Sequence, residues 1–229
     1  MPLKRSVGNM YPWVTHTHCH LGGECQHHCV YCYVDSPRWG RPKRYQGEIR
    51  LIDGEFNVDY GTGRTIFLEH MNDIFGPDVR DDMVHSIITH ARKYPGNTYV
   101  FQSKNPRRFL NPDFLWPDGS IFGTTIESNR GYDTVSDAPD PSERFNAIRD
   151  LKGRKFITIE PVLDFDVEVL AAWIGAVKPE FLNLGADSKA HDLPEPTVEK
   201  IEALVVELEK YGVELREKHN LARLRARQK

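Results

Sequence analysis

Five short runs of β-branched, aromatic and aliphatic residues recur along the chain, at residues 65–69 (TIFLE), 98–102 (TYVFQ), 121–127 (IFGTTIE), 156–160 (FITIE) and 181–185 (FLNLG). Short apolar runs of this kind fit parallel strands buried on both faces. Helical patterns separate them over 78–93, briefly after Pro106, and over 141–151, 167–177 and 196–211, several opened by Pro or Asp. A sixth strand is expected at 213–216, and a further one at 11–15 leads into the cysteines. The alternation predicts an α/β chain, a partial (β/α)6 barrel with mostly parallel strands and about six units instead of the eight of a closed barrel. No repeat, low-complexity tract or long linker divides the 229 residues. A single domain is expected, with 1–10 as an N-terminal extension and 220–229 as a basic, fraying tail.

In parallel α/β folds the loops at the C-terminal strand ends converge on one mouth, and working residues gather there. Polar residues stand at those positions: Glu69, His70, Asn72 and Asp73 after the first run, Ser103 and Lys104 after the second, and Glu127 and Glu160 closing the third and fourth. Asp187 and Lys189 follow the fifth, and the Asp- and Pro-rich stretch 133–141 reads as a loop that covers a pocket or simply connects elements. The 30 Lys and Arg against 33 Asp and Glu give a net charge of −3, which supplies no electrostatic footprint for wrapping a duplex. No apolar run approaches the roughly eighteen residues of a spanning helix, and the N-terminus lacks the apolar stretch of a secretory signal. The chain is expected to be cytoplasmic, off the membrane and monomeric.

All four cysteines fall between Cys19 and Cys32, too crowded to cross-link a domain of this size, and a reducing compartment would keep them available to a metal. Cys25, Cys29 and Cys32 are spaced C-x3-C-x2-C, with Tyr31 just before the last. Three thiolates from one loop suit an iron-sulfur cluster, which usually takes four, and they leave one iron open to a ligand that is not protein. The alternative is a non-catalytic zinc module, with a histidine or Cys19 as fourth ligand. Zinc sites normally pair C-x2-C knuckles with a second, distant pair, and this chain has none.

This segment resembles the signature of the radical S-adenosylmethionine (SAM) superfamily, C-x3-C-x-aromatic-C. The resemblance implies that Cys25, Cys29 and Cys32 bind three irons of a [4Fe-4S] cluster while the amino and carboxylate groups of SAM chelate the fourth. The cofactor would then supply a 5′-deoxyadenosyl radical that abstracts hydrogen from substrate. Together with LEHMND, QSKNP, GTTIES and TIEPVL, the YCY at the cluster makes residues 11–220 resemble a phage- and bacteria-associated group related to spore photoproduct lyase. In this superfamily a Gly-Gly-Glu-like turn often binds the SAM amino group, and Glu69, His70, Asn72 and Asp73 occupy its place. Ser103 and Lys104 match the strand end used near the ribose and carboxylate. Gly123, Thr125 and Glu127 resemble a G-x-S/T-x-E strand, in which Gly permits close backbone approach and the acid faces the pocket. Tyr31 and Glu160, the latter in an IEP element, complete the cofactor-side candidates.

No residue of the sequence identifies the substrate. The kinship favours a nucleobase or nucleic acid by analogy, with a small molecule or peptide as the alternative. An external electron donor of flavodoxin or ferredoxin type is implied. Spore photoproduct lyase employs a cysteine as hydrogen-atom donor, but that cysteine does not lie just before the cluster motif and Cys19 does not match it; Cys19 stands as a catalytic candidate beside its reading as a small filler residue near the cluster. Tyr33 is a second candidate, and Tyr31 and Tyr45 carry the same phenolic hydrogen. His16, His18 and His20 alternate as one face of an extended segment does, which favours packing over a second metal site; His27 and His28 lie inside the cysteine motif.

Overall fold

The protein is seen here in a computed structural model that describes residues 3–7, 10–35, 40–189 and 191–226. Residues 1, 2, 8 and 9 of the expected extension and 227–229 of the expected tail lie outside them. In chain order the strands are β1 (Lys4–Arg5), β2 (His16–His18), β3 (Leu21–Gly22), β4 (Arg50–Leu51), β5 (Thr65–Leu68), β6 (Thr98–Gln102), β7 (Ile121–Thr125), β8 (Arg154–Ile159), β9 (Phe181–Leu184) and β10 (Leu215–Glu217). The α-helices are α1 (Asp81–Arg92), α2 (Pro141–Asp150), α3 (Val167–Val177), α4 (Val198–Glu209) and α5 (Ala222–Ala226). Eight strands form one sheet in the order β1-β2-β5-β6-β7-β8-β9-β10, and β3 pairs with β4 in a separate ribbon. The short β1 is antiparallel to β2, whereas β2–β5, β5–β6, β8–β9 and β9–β10 are parallel. The order ends at β1 and β10 without closing, as the expected open α/β sheet requires. No helix among the described residues is long and apolar enough to cross a membrane.

Close contacts divide the chain into two compact units. The first comprises Met1–His27, Cys32–Ser103 and Arg108–Phe122. Its sheet register sets Thr65 beside Thr98 and His16 beside Ile66, so the C-terminal ends of β2, β5 and β6 point the same way. Helix α1 begins with Asp81 and Asp82, whose charges complement its N-terminal dipole. It buries Met83, Val84, Ile87, Ile88 and Ala91, the stripe that a 3.6-residue period lays along one face. An aromatic cluster fills the other part of the core, with Trp116 4.7 Å from Phe122 and 5.1 Å from Phe101 between ring centroids.

The second unit comprises His28–Tyr31, Lys104–Arg107 and Gly123–Lys229. Helix α2 starts where Asp140 caps the Ser142 N–H at 2.8 Å and Pro141 takes the first helical position, where its missing N–H costs nothing. Gly123 has a packing role in this unit. A Cβ built on it would lie 2.1 Å from Cζ of Phe156, whose ring stacks on Phe181 at 5.3 Å. The absence of a side chain thus admits an aromatic ring, where the sequence suggested backbone approach to a ligand. Gly123→Ala is expected to destabilise the protein by about 1–3 kcal/mol through overpacking. An unchanged urea-unfolding midpoint would refute this account of the glycine.

Three expectations need correction. Residues 11–15 hold a turn, closed by the Val14 N–H on the Tyr11 carbonyl at 3.0 Å, and Pro12 has no N–H to give a ladder. Pairing with β5 begins only at the Thr15 N–H, and the strand is His16–His18. The sixth predicted strand lies two residues further on, at Leu215–Glu217. The basic tail does not fray up to Ala226: it turns through a 3-10 segment into α5, burying Leu221 and Leu224.

Candidate cofactor site

The cysteine loop leaves the C-terminal end of β2, and in the first unit it is tied down by residues that follow β5. Nε2 of His27 lies 2.8 Å from Oδ2 of Asp73, which also accepts from the Ser103 hydroxyl at 2.9 Å. The Asn72 amide donates to the Gly23 carbonyl at 2.9 Å. Gly23 itself has φ +94°, and a Cβ there would stand 2.2 Å from the Glu48 carbonyl oxygen, so only glycine fits this passage. Asn72, Asp73 and Ser103, which the resemblance sets near the cofactor, thus also shape the loop.

Glu69 is 2% exposed and in the left-handed region, φ +58°. Its carboxylate accepts from the backbone N–H of His20 and of Leu21, at 2.6 and 3.2 Å, and meets the His20 ring at 2.8 Å. His70 lies beside the thiol of buried Cys19, with Nδ1 3.2 Å from Sγ. Burial lowers the His70 pKa to about 4, so the ring is neutral at neutral pH. Burial, and then the Glu69 carboxylate, push the Cys19 thiol well above the usual thiol range. Tyr45 hydrogen-bonds the same sulfur. The Tyr33 hydroxyl donates to the His70 carbonyl and lies 3.1 Å from the Met71 sulfur. Both catalytic candidates, Cys19 and Tyr33, therefore converge on the segment His70–Met71.

In the second unit Tyr31, Lys104 and Glu127 meet. The Tyr31 hydroxyl and the Lys104 ammonium both donate to Oε1 of Glu127, and the ammonium also lies 4.7 Å from the Tyr31 ring centroid. Oε2 of Glu127 accepts from Nη1 of Arg144 at 2.6 Å, and the same nitrogen reaches the Thr125 carbonyl at 2.6 Å. Burial alone would raise the Glu127 pKa, but Lys104 and Arg144 overcome it and hold the carboxyl at about 2. Arg144 was not foreseen from the sequence. It sits on the buried stripe of α2 with Pro141, Ala147 and Ile148, and a charged residue in such a stripe was the available signal. It is 4% exposed, and its Nε has no hydrogen-bond partner among the described residues. Beside it opens a cleft of about 110 Å³ lined by Glu127, Ser128, Arg130, Tyr132, Arg144 and Leu163, with residues of the 133–141 stretch at its rim.

Glu160 is engaged elsewhere in the same unit. Lys218 donates to its Oε2 at 2.6 Å and Asn220 to its Oε1 at 2.7 Å, tying the end of β8 to the segment after β10. Asp187 is held by His191 at 2.7 Å.

Cys25, Cys29 and Cys32 are partly exposed thiols outside any disulfide, whereas Cys19 is buried. Soft donors at this spacing fit a cluster, each able to take a separate iron. Among the described residues no three His, Cys, Asp or Glu side chains are gathered as ligands of one ion.

The chain has the fold of solved spore photoproduct lyase structures. The solved structures it is similar to include spore photoproduct lyase in several mutant forms. One, with a tyrosine changed to phenylalanine, matches at TM-score 0.64 and 13% identity over 95% of this chain and 81% of that one. Another, with a cysteine changed to serine, matches at 0.61 and 14% over 93% and 80%. A doubly substituted form with bound AdoMet and dinucleoside spore photoproduct matches at 0.55 and 16% over 91% and 66%. The sequence matches no protein-family model and no curated protein. The resemblance first read in the cysteine motif is borne out in the fold.

Proposed function

We propose that this chain is a radical SAM enzyme that binds a [4Fe-4S] cluster through Cys25, Cys29 and Cys32 and acts on a nucleobase within nucleic acid. The observation that carries the proposal is the three-thiol loop on a fold shared with spore photoproduct lyase. When bound and reduced by a flavodoxin- or ferredoxin-type donor, SAM at the cluster supplies a 5′-deoxyadenosyl radical. Arg144 and Lys104 are the cations suited to its carboxylate. The buried Arg144 Nε has no hydrogen-bond partner among the described residues, and a guanidinium pairs well with a planar carboxylate. Tyr31 and Glu127 hold Lys104 in place. The dinucleoside spore photoproduct bound in one similar structure suggests the substrate class.

Cys19 is the hydrogen-atom donor in this proposal. Such a donor must remain a thiol, because a thiolate has no hydrogen to give. Burial and the Glu69 carboxylate keep the proton on Sγ, and neutral His70 offers Nδ1 to accept the S–H. The Tyr33 hydroxyl donates to the His70 carbonyl and lies beside the Met71 sulfur of the same segment.

The test is anaerobic reconstitution followed by SAM, a reductant and deuterated oligonucleotides, with 5′-deoxyadenosine read by mass spectrometry. Deuterium in the 5′-deoxyadenosine is the expected result. Cys19→Ala should still form 5′-deoxyadenosine but lose repaired or modified product. An intact cluster that yields no 5′-deoxyadenosine would overturn the assignment.

A further inference from the structure

Behind the turn at Glu69 lies a chain of buried polar side chains that the proposed chemistry does not use. His20, His90, Tyr60 and Glu69 are each no more than 2% exposed. Nδ1 of His20 is 2.8 Å from Oε1 of Glu69, Nε2 of His20 is 2.8 Å from Nδ1 of His90, and Nε2 of His90 is 3.1 Å from the Val58 carbonyl oxygen. The Tyr60 hydroxyl stands 3.0 Å from Nε2 of His20.

The protons along this chain can be counted. A carbonyl only accepts, so His90 carries its hydrogen on Nε2. Burial disfavours a charge on His90, so that ring is neutral and its Nδ1 is a bare acceptor. At the other end both oxygens of Glu69 already accept backbone N–H groups, the arrangement that favours a carboxylate. His20 must then donate from Nδ1 to Glu69. Two bare nitrogens 2.8 Å apart would repel, so His20 must also donate from Nε2 to His90. The Tyr60 hydroxyl oxygen, 3.0 Å away, shares the Nε2 hydrogen as a second acceptor, and the surroundings add no rival charge in contact. His18 lies edge-on at 4.5 Å with its pKa lowered to about 3 by burial and by the other two histidines, and Arg44 is paired with Glu55. Phe56 and Tyr94 pack as neutral rings.

We propose that His20 is held as a buried imidazolium between the Glu69 carboxylate and a neutral His90, and that this charged relay positions the joint from which the cysteine loop springs. The same carboxylate grips the His20 and Leu21 N–H groups, and this grip holds Glu69 in its left-handed conformation against the steric preference of a residue with a Cβ. His20 and His90 are positioning residues. That the joint carries a cofactor loop rests on the proposed function; the protonation of His20 does not.

The experiment is nitrogen-15 NMR of the histidine rings in the full-length protein at neutral pH, with and without cluster. One ring should show both nitrogens protonated, with slowly exchanging hydrogens. His90→Leu should abolish that signature and speed amide exchange at His20 and Leu21 by about tenfold, the loss of roughly one hydrogen bond's worth of protection. His90→Asn, whose Oδ1 offers an acceptor near the position of Nδ1, should restore both. A bare-nitrogen resonance from His20 in the unsubstituted protein would overturn the proposal, whether or not the variants fold. Neither measurement depends on iron, so a failed cluster assignment would leave a distinct result.

Discussion

Replacing Cys29 with alanine should leave a folded protein that cannot hold its cluster. Cys29 is only partly buried, so the lost packing is small, and the urea midpoint should correspond to a change of less than about 1 kcal/mol. Iron and sulfide, expected at about four each per chain after anaerobic reconstitution, should fall toward zero, and 5′-deoxyadenosine formation with them. Two thiolates close too little of the cluster's coordination to retain it. If the Cys29→Ala protein retained a full complement of iron and sulfide, Cys29 would not be a ligand and the proposed function would fail at its root.

Glu127→Gln should destabilise the protein strongly. The amide keeps the size of the side chain but removes the charge that Lys104 and Arg144 share. Two cations largely out of water would face a neutral group, and breaking a buried ion pair from one side costs about 3–5 kcal/mol. The pH dependence has a definite sign. The Glu127 carboxyl is held at about 2 against an ordinary 4.5, so it binds protons less readily in the folded protein than in the unfolded chain. Its stabilisation is complete above about 4.5 and is lost as pH falls toward about 2. Unfolding curves should therefore show an acid-side slope in the natural protein that is shallower in Glu127→Gln. Equal slopes would mean that the carboxylate is not held ionised by its neighbours.

The sequence was most legible where burial leaves little choice. Strands such as 98–102 and helix 167–177 came out with their observed limits, because a strand buried on both faces must be apolar throughout and an amphipathic helix must repeat its stripe. Residues 11–15 misled because aromatic and β-branched content resembles a strand, while Pro12 denies it a ladder. The site was legible as a set of strand-end positions but not as a division of labour. Lys104 and Glu127 are indeed joined, and Tyr31 with them. Glu69, Asn72, Asp73, Ser103 and Glu160 have the chemistry of ligands, and their hydrogen bonds also bind the chain's own loops and strand ends. Side-chain direction decides between these uses, and position in a sequence does not encode it. Arg144 was hidden for the converse reason, being remote in sequence from the strand end it meets and recognisable only as a charge on an apolar helix face.

The tethers on the cysteine loop have a consequence for assembly. His27 is fastened to Asp73, Asp73 to Ser103, and Asn72 to the Gly23 carbonyl, all by the chain's own groups. In small zinc domains the ion supplies the free energy that orders the chain, and the apoprotein is unfolded. Here the protein has already met much of that entropic cost, so delivery of iron and sulfide needs little of it to be met again. On the proposed function, an iron-sulfur donor would meet a loop whose first-unit part is already ordered by the chain's own groups, and the apoprotein should stay folded without its cluster.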